Sequence, residues 1–180
     1  MITIRQAKIQ DSKIVAPLIY DAIGDIANHL TNENEYNKII EGLAQLMEQT
    51  TNRHSYENTF VAEESGIVLG IVVLYDGKHG KQLDELLAKQ LGTPIDVEAH
   101  ADEYYIDTIC VSEASRGKGI GTLLLQFSEQ QACKLGHKKL ALNVEFEKIQ
   151  ARKLYERQGF TVTETWTITG EPFHHMVKQL

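Results

Sequence analysis

Polar and apolar positions alternate at the start of the chain, where Ile2 and Ile4 sit between polar neighbours and predict a half-buried strand over residues 1–6. From Ile14 the spacing lengthens to a 3.6-residue period through Val15, Leu18, Ile19, Ala22, Ile23, Ile26 and Leu30, which predicts a helix capped by Asp11 or Ser12. Pro17 lies inside that stripe, so the helix either kinks there or begins there. Tyr36, Ile39, Ile40, Leu43 and Met47 repeat the helical period. "NTFVAEE" and "IVLGIVVLY" read as two strands joined by a hairpin at Ser65-Gly66, with Gly70 marking a bulge or a close contact. Residues 76–103 are the least regular, with a short amphipathic helix (Leu83, Leu86, Leu87, Leu91) and then the loop chemistry of "GTPIDVEAHADE".

The second half is more regular. "YYIDTICV" is a fourth strand, and a helix from Ile120 turns Leu123, Leu124 and Phe127 inward and ends at Gly136. "KKLALNV" puts Leu140, Leu142 and Val144 on one face and Asn143 on the other. "KIQARKLYERQGF" is a helix stopped by Gly159. In "FTVTETWTI" Phe160, Val162, Trp166 and Ile168 share a face, and a turn at Gly170-Glu171 leads to the last strand, "PFHHMVK". The sum is a mixed α/β (α+β) fold. It is read as one domain, 1–180, with 76–103 as an insertion between the third and fourth strands.

Between the fourth strand and the next helix stands "SRGKGIGTLLLQF", where Gly117, Gly119 and Gly121 alternate with Lys118 and Ile120. Glycine costs backbone entropy, so this run must serve a close approach of main chain to something. Free N–H groups and the positive end of a helix dipole make such a place an anion site, and Arg116 and Lys118 add charge. It is not a Walker loop, because Lys118 precedes Gly119. Nor is it a Rossmann fingerprint, because Thr122 stands after Gly121 where that pattern is not completed. The competing structural reading is a tight turn with close helix–sheet packing.

Composition narrows the partners. A net charge of −7 argues against nonspecific nucleic-acid binding and leaves a cationic small molecule open. No apolar run approaches the roughly 20 residues of a membrane helix, and the start of the chain lacks a signal-peptide core. With only Cys110 and Cys133, this points to a reducing cytoplasm. His174 and His175, adjacent on a strand, point to opposite faces and cannot share a metal, so no metal is expected.

"ICVSEASRGKGIGTLLL" followed by "ARKLYERQGF" resembles the GNAT N-acyltransferases. Arg116, Gly119 and Gly121 fit that family's Arg/Gln-x-x-Gly-x-Gly/Ala loop, and Leu154, Tyr155, Glu156, Gly159 and Phe160 fit its second motif. The resemblance implies a central mixed, mostly antiparallel sheet flanked by helices and splayed between the fourth and fifth strands. It implies acetyl-CoA as co-substrate, with its pyrophosphate on the loop Gly117, Lys118, Gly119, Ile120, Gly121 and Thr122 beside Arg116. Its pantetheine chain would run along Ile109, Cys110 and Val111 with a polar contact from Asn143. Where family members often carry an asparagine this chain has Lys148, which can reach a CoA phosphate instead.

The implied activity is acetyl transfer to a primary amine, small or peptidyl, by direct attack; the alternative is a non-catalytic acyl-CoA-binding module. No nucleophilic cysteine is required, and Cys110 reads as a buried strand residue. Tyr155 is the expected acid for the departing thiolate. Asp107, Tyr105 and Glu103 on or near the fourth strand are the alternatives for the base. Asp96, Glu98, Asp102 and Glu103 read as solvated loop carboxylates that can also recruit a cationic acceptor. A homodimer is left open.

Overall fold

A computed structural model of the chain describes residues Met1–Leu180. Its strands are β1 (Thr3–Gln6), β2 (Thr59–Glu64), β3 (Ile67–Asp76), β4 (Tyr104–Val111), β5 (Lys139–Glu145), β6 (Thr161–Ile168) and β7 (Glu171–Gln179). They form one sheet in the order β1-β2-β3-β4-β5-β7-β6, antiparallel except where β4 meets β5. The helices are α1 (Ser12–Ile23), α2 (Ile26–Thr31), α3 (Tyr36–Glu48), α4 (Gly80–Leu91), α5 (Ile120–Lys134) and α6 (Ile149–Arg157). Helices α1 to α3 bury Val15, Ile19, Leu43 and Met47 against Val61 and Ile71 on one face of the sheet. On the other face α5 and α6 bury Leu124, Leu125 and Tyr155 against Val72, Ile106 and Leu142.

The parallel β4–β5 pairing lasts for only three positions, Tyr104↔Leu140, Tyr105↔Ala141 and Ile106↔Leu142. Beyond Ile106 the strands part, while β4 stays paired with β3 as far as Val111. The β4 segment from Asp107 to Val111 therefore has an open edge toward β5. A bulge accompanies the parting: the register passes from Leu74↔Ile106 to Val73↔Thr108, leaving Asp107 as the extra residue. Alternation shifts across it. Ile106 packs with α5, whereas Cys110 packs with the α1–α3 side, although both positions are even.

Five expectations need correction. The single helical stripe from Ile14 to Leu30 is two helices, broken at Gly24 (φ 53°), and Pro17 lies within α1 rather than at an end. Asp11 does not cap α1; its carboxylate takes Arg5 and the Lys8 N–H. On α5, Leu123 is exposed and Leu125 is buried in its place. A bulge at Thr163 moves β6 from Val162↔Met176 to Glu164↔His175, so Val162 and Trp166 fall on opposite faces: Val162 is exposed and Trp166 packs flat on His175. The β6–β7 turn also sits one residue earlier, at Thr169-Gly170, both with positive φ.

At Gly70 the close contact is with β4, where an added Cβ would lie 2.7 Å from the Cys110 carbonyl. Gly77 is tighter. Its N–H donates to the Glu103 carbonyl at 2.8 Å, and a Cβ there would stand 2.0 Å from the His100 carbonyl. Both obstacles belong to the backbone just before β4 and cannot swing aside. Gly77→Ala is expected to destabilise the fold by about 1–3 kcal/mol, the usual cost of overpacking, read as a lower urea midpoint. An unchanged midpoint would show that residues 92–103 move freely.

Candidate active site

The parting of β4 and β5 opens a cavity of about 590 Å³. Ile109, Cys110 and Val111 line one wall, and Asn143, Val144 and Glu145 line the other. Residues of α1, α2 and α6 close the ends, including Ile23, Leu30 and Tyr155.

At the cavity's edge, Ser112 and Ser115 brace a short turn through a 2.9 Å hydroxyl contact. Gly117 and Gly119 follow with φ of 76° and 78°, and Gly119 is the residue from which α5 starts. A Cβ at either would meet no atom within 4 Å, so no packing contact requires these glycines. They are set by their left-handed backbone, and the space over them is open. Gly121 differs, because a Cβ there would make only ordinary contact with Leu154 and Val111. The Leu123 N–H is bonded to the Gly119 carbonyl, leaving the N–H groups of Ile120, Gly121 and Thr122 as the free donors of the first turn. Ile120 itself is buried and anchors the turn. Arg116 lines the cavity, while Lys118 reaches back to the Ala114 carbonyl at 2.9 Å. Lys148 lines the cavity too, holding the Ala22 carbonyl at 2.8 Å and facing Glu145 at 3.3 Å.

Deeper in, Arg53 is 2% exposed and holds three carboxylates: Asp84 of α4 at 2.9 Å, Glu98 at 2.9 Å and Asp107 at 3.1 Å. One guanidinium thus faces three acids from separate elements. Burial pushes Glu98 up to about 7 against the pull of Arg53, and pushes Asp84 up to about 6. Asp107 goes the other way. Burial would raise it, but His54 and Arg53 outweigh burial and hold it well below the usual carboxylate range. His54 Nε2 meets Asp107 at 2.9 Å, and Thr108 donates to the same carboxylate at 2.9 Å. The His54 ring lines the cavity, and its buried Nδ1 has no partner.

The expected residues divide. Tyr155, Asp107 and Tyr105 all line the cavity. Tyr155 is buried, and burial together with the nearby Cys110 pushes its phenol up to about 12. The Cys110 thiol is itself raised to about 11 by burial. Glu103 is not brought to the cavity: it lies buried against His175 Nε2, 2.9 Å away, and takes the His100 N–H at 2.9 Å. Asn143 lines the cavity, but its amide donates to the Glu98 carbonyl at 2.9 Å and the Tyr105 hydroxyl at 3.0 Å. His174 and His175 do point to opposite faces, one stacked on Phe146 and the other on Trp166. The structure adds a grouping remote in sequence, since His100, Glu103 and His175 each bring a ligand-type atom within 4.8 Å of the others. Within it, His175 and Glu103 already hydrogen-bond to each other.

Two cavity residues escaped the sequence reading, and the burial of a third was not foreseen. Arg53 and His54 stand in "TTNRHSYEN", a polar loop with no periodicity to mark them as buried. Glu98 read as solvated surface, yet it is 9% exposed. The only signal was the nearness of an acidic loop to the fourth strand.

The comparisons agree with this geometry. Residues 24–160 match the model of the acetyltransferase (GNAT) family. A crystal structure of an acetyltransferase is 34% identical over 98% of both chains, with a TM-score of 0.80. An N-acetyltransferase from Staphylococcus aureus is 27% identical, covering 97% of this chain and 99% of that one, with a TM-score of 0.83. The paia N-acetyltransferase from Thermoplasma acidophilum, solved with coenzyme A, shares the fold at 16% identity, covering 100% of this chain and 99% of that one, with a TM-score of 0.62. With its parallel β4–β5 splay and its glycine turn at the head of α5, the chain belongs to the acetyltransferase (GNAT) family.

Proposed function

We propose that the protein transfers the acetyl group of acetyl-CoA to a primary amine in a ternary complex. One observation carries the reading: a single cavity joins the open edge of β4 and Arg116, the residue before the glycine turn, to a buried carboxyl raised to about 7 and a phenol raised to about 12. The open edge and the free N–H groups of α5 fit the co-substrate, the latter taking its pyrophosphate together with Arg116. Lys148, now on the Ala22 carbonyl, is the further phosphate contact.

A protonated alkylamine gives up its proton at pH 7 at a cost of about 4–5 kcal/mol. Glu98 is the base in this reading. It sits near neutrality, as an efficient base should, whereas Asp107 is held too acidic to keep a proton. The freed amine attacks the thioester carbonyl, and charge on its oxygen is met by a backbone N–H of β4 near Cys110 or Val111. Collapse breaks the C–S bond and expels the thiolate toward Tyr155, and the second proton lost by the attacking nitrogen passes to the sulfur, so that CoA leaves as the thiol.

The acceptor is cationic. Beside the cavity runs a groove of about 560 Å³ where Asp21, Asp25, Glu145, Glu147 and Glu171 face one cation, Lys148. The test is CoA release from acetyl-CoA with a panel of amines and carboxylated analogues, at low and high salt. Turnover is expected with cationic amines and should weaken as salt screens the groove. A preference for anionic acceptors would reject the cationic reading. Acetyl-CoA binding without release by any amine would leave an acyl-CoA-binding module.

A further inference from the structure

We infer that the buried Glu103–His175 pair is a remote positioning and charge-setting device for Glu98, acting through Asn143 and Tyr105. The inference rests on Glu98 being the base, and it names groups that never touch the substrate.

The main-chain carbonyl of Glu98 can only accept, and Asn143 Nδ2 lies 2.9 Å from it. That fixes the Asn143 amide with its NH₂ toward Glu98 and Tyr105 and its oxygen toward His175. His175 Nδ1, 2.6 Å from that oxygen, must therefore carry a hydrogen. The other ring nitrogen faces both Glu103 oxygens, at 2.9 and 3.1 Å, in a place where Glu103 is 2% and His175 0% exposed. A bare nitrogen against a carboxylate would be two acceptors buried face to face. The contact therefore holds one more proton, as an imidazolium–carboxylate pair or its neutral tautomer.

From there every donor points one way. His175 donates to Asn143, Asn143 to the Tyr105 hydroxyl at 3.0 Å, and Tyr105 to Glu98 Oε2 at 3.1 Å. Trp166 stacked at 4.4 Å and the His100 N–H on Glu103 hold the far end rigid. Hydrogen bonds in such a chain polarise one another, so the proton-sharing Glu103–His175 pair at its head strengthens the donor at Tyr105. Donation to the ionised carboxylate favours it over the acid. Against burial, which favours the acid, the chain keeps Glu98 able to accept a proton at neutral pH. The same Asn143 ties down the main chain at Glu98, fixing where the carboxylate points.

Other charged or titratable groups face Glu98. They are Arg53 from the α3–β2 loop, with Asp84 of α4 behind it, Tyr75 of β3, and Asp107 of β4 with His54 beside it. None lies on the chain, so a change made at its links leaves them in place.

The experiment is the pH profile of kcat/KM for wild type, Tyr105→Phe, His175→Gln and Glu98→Gln. Tyr105→Phe deletes one hydroxyl and keeps the ring packing on Tyr75. It is expected to move the acid limb up by roughly half a unit to one unit, since one charge-directed donor is lost. Activity at pH 7 should fall several-fold and recover at higher pH, with the KM for acetyl-CoA unchanged. His175→Gln, which keeps a donor but removes the proton shared with Glu103, should shift the limb the same way by less. Equal losses at every pH, or a limb that stays put, would overturn the inference and leave a structural role only. If His175→Gln does not fold, Glu103→Gln, which keeps the contact to His175 and removes the carboxylate, takes its place with the same expected shift. If instead Glu98→Gln keeps both its rate and its acid limb, the base assignment itself fails.

Discussion

Glu98→Gln is expected to lower kcat by about 10²–10⁴-fold, the usual worth of a positioned base, while the acetyl-CoA KM hardly changes. Glutamine has the shape of glutamate and an oxygen that still accepts from Arg53 and Tyr105, so the pocket keeps its packing. Arg53 retains Asp84 and Asp107 and is not left unpaired. What disappears is a place for the acceptor's proton. The sign of the pH effect follows from the raised value near 7: the carboxyl is protonated and idle below it and competent above it. Wild type should lose activity as pH falls through about 7, and the variant should lose that limb. Amines already neutral at pH 7 are spared the deprotonation that precedes attack, so their rates should suffer least. A kcat within twofold of wild type, alongside a collapse in Asp107→Asn, would move the base to Asp107.

Sequence pattern carried the sheet well because the outer strand β1 alternates while β3 to β5, covered on both faces, read as short apolar runs bounded by turn residues. It failed where the alternation itself breaks. The bulges at Asp107 and Thr163 each shift the side chains that follow, a change no residue type announces. Trp166 stacks on His175, on the face opposite Val162, for that reason, and Asp107 and Thr108 come together on His54. The glycine turn was legible because only its residue type tolerates φ near 77°, as found at Gly117 and Gly119. The charged cluster was not. Arg53 and Glu98 are buried because each neutralises the other, and a pair 45 residues apart in an irregular region leaves no periodic trace. Reading Glu98 as solvated applied a rule about isolated carboxylates to one that is partnered.

Tyr155→Phe is expected to lower kcat by about 10²-fold, the lower end of the range for a general acid, with little change in stability. The ring stays packed against Phe160 and the α5–α6 core, so only the hydroxyl is lost. The magnitude follows from the acidity. Burial raises the phenol to about 12, which keeps it protonated at every working pH. A thiol near 8.5 is the stronger acid, so full transfer to a free thiolate runs uphill. The phenol is therefore most useful during bond cleavage, donating a hydrogen bond to sulfur as charge grows there. Acyl donors whose leaving thiol is more acidic need that hydrogen bond less, and the penalty of the substitution should shrink with them. The measurement is kcat for wild type and variant across such a donor series, with acetyl-CoA affinity from calorimetry beside it. A rate within twofold of wild type together with a lower melting temperature would make Tyr155 a core aromatic and leave water to protonate the thiolate. An equal loss of rate and of acetyl-CoA affinity would instead make the hydroxyl a contact that holds the co-substrate.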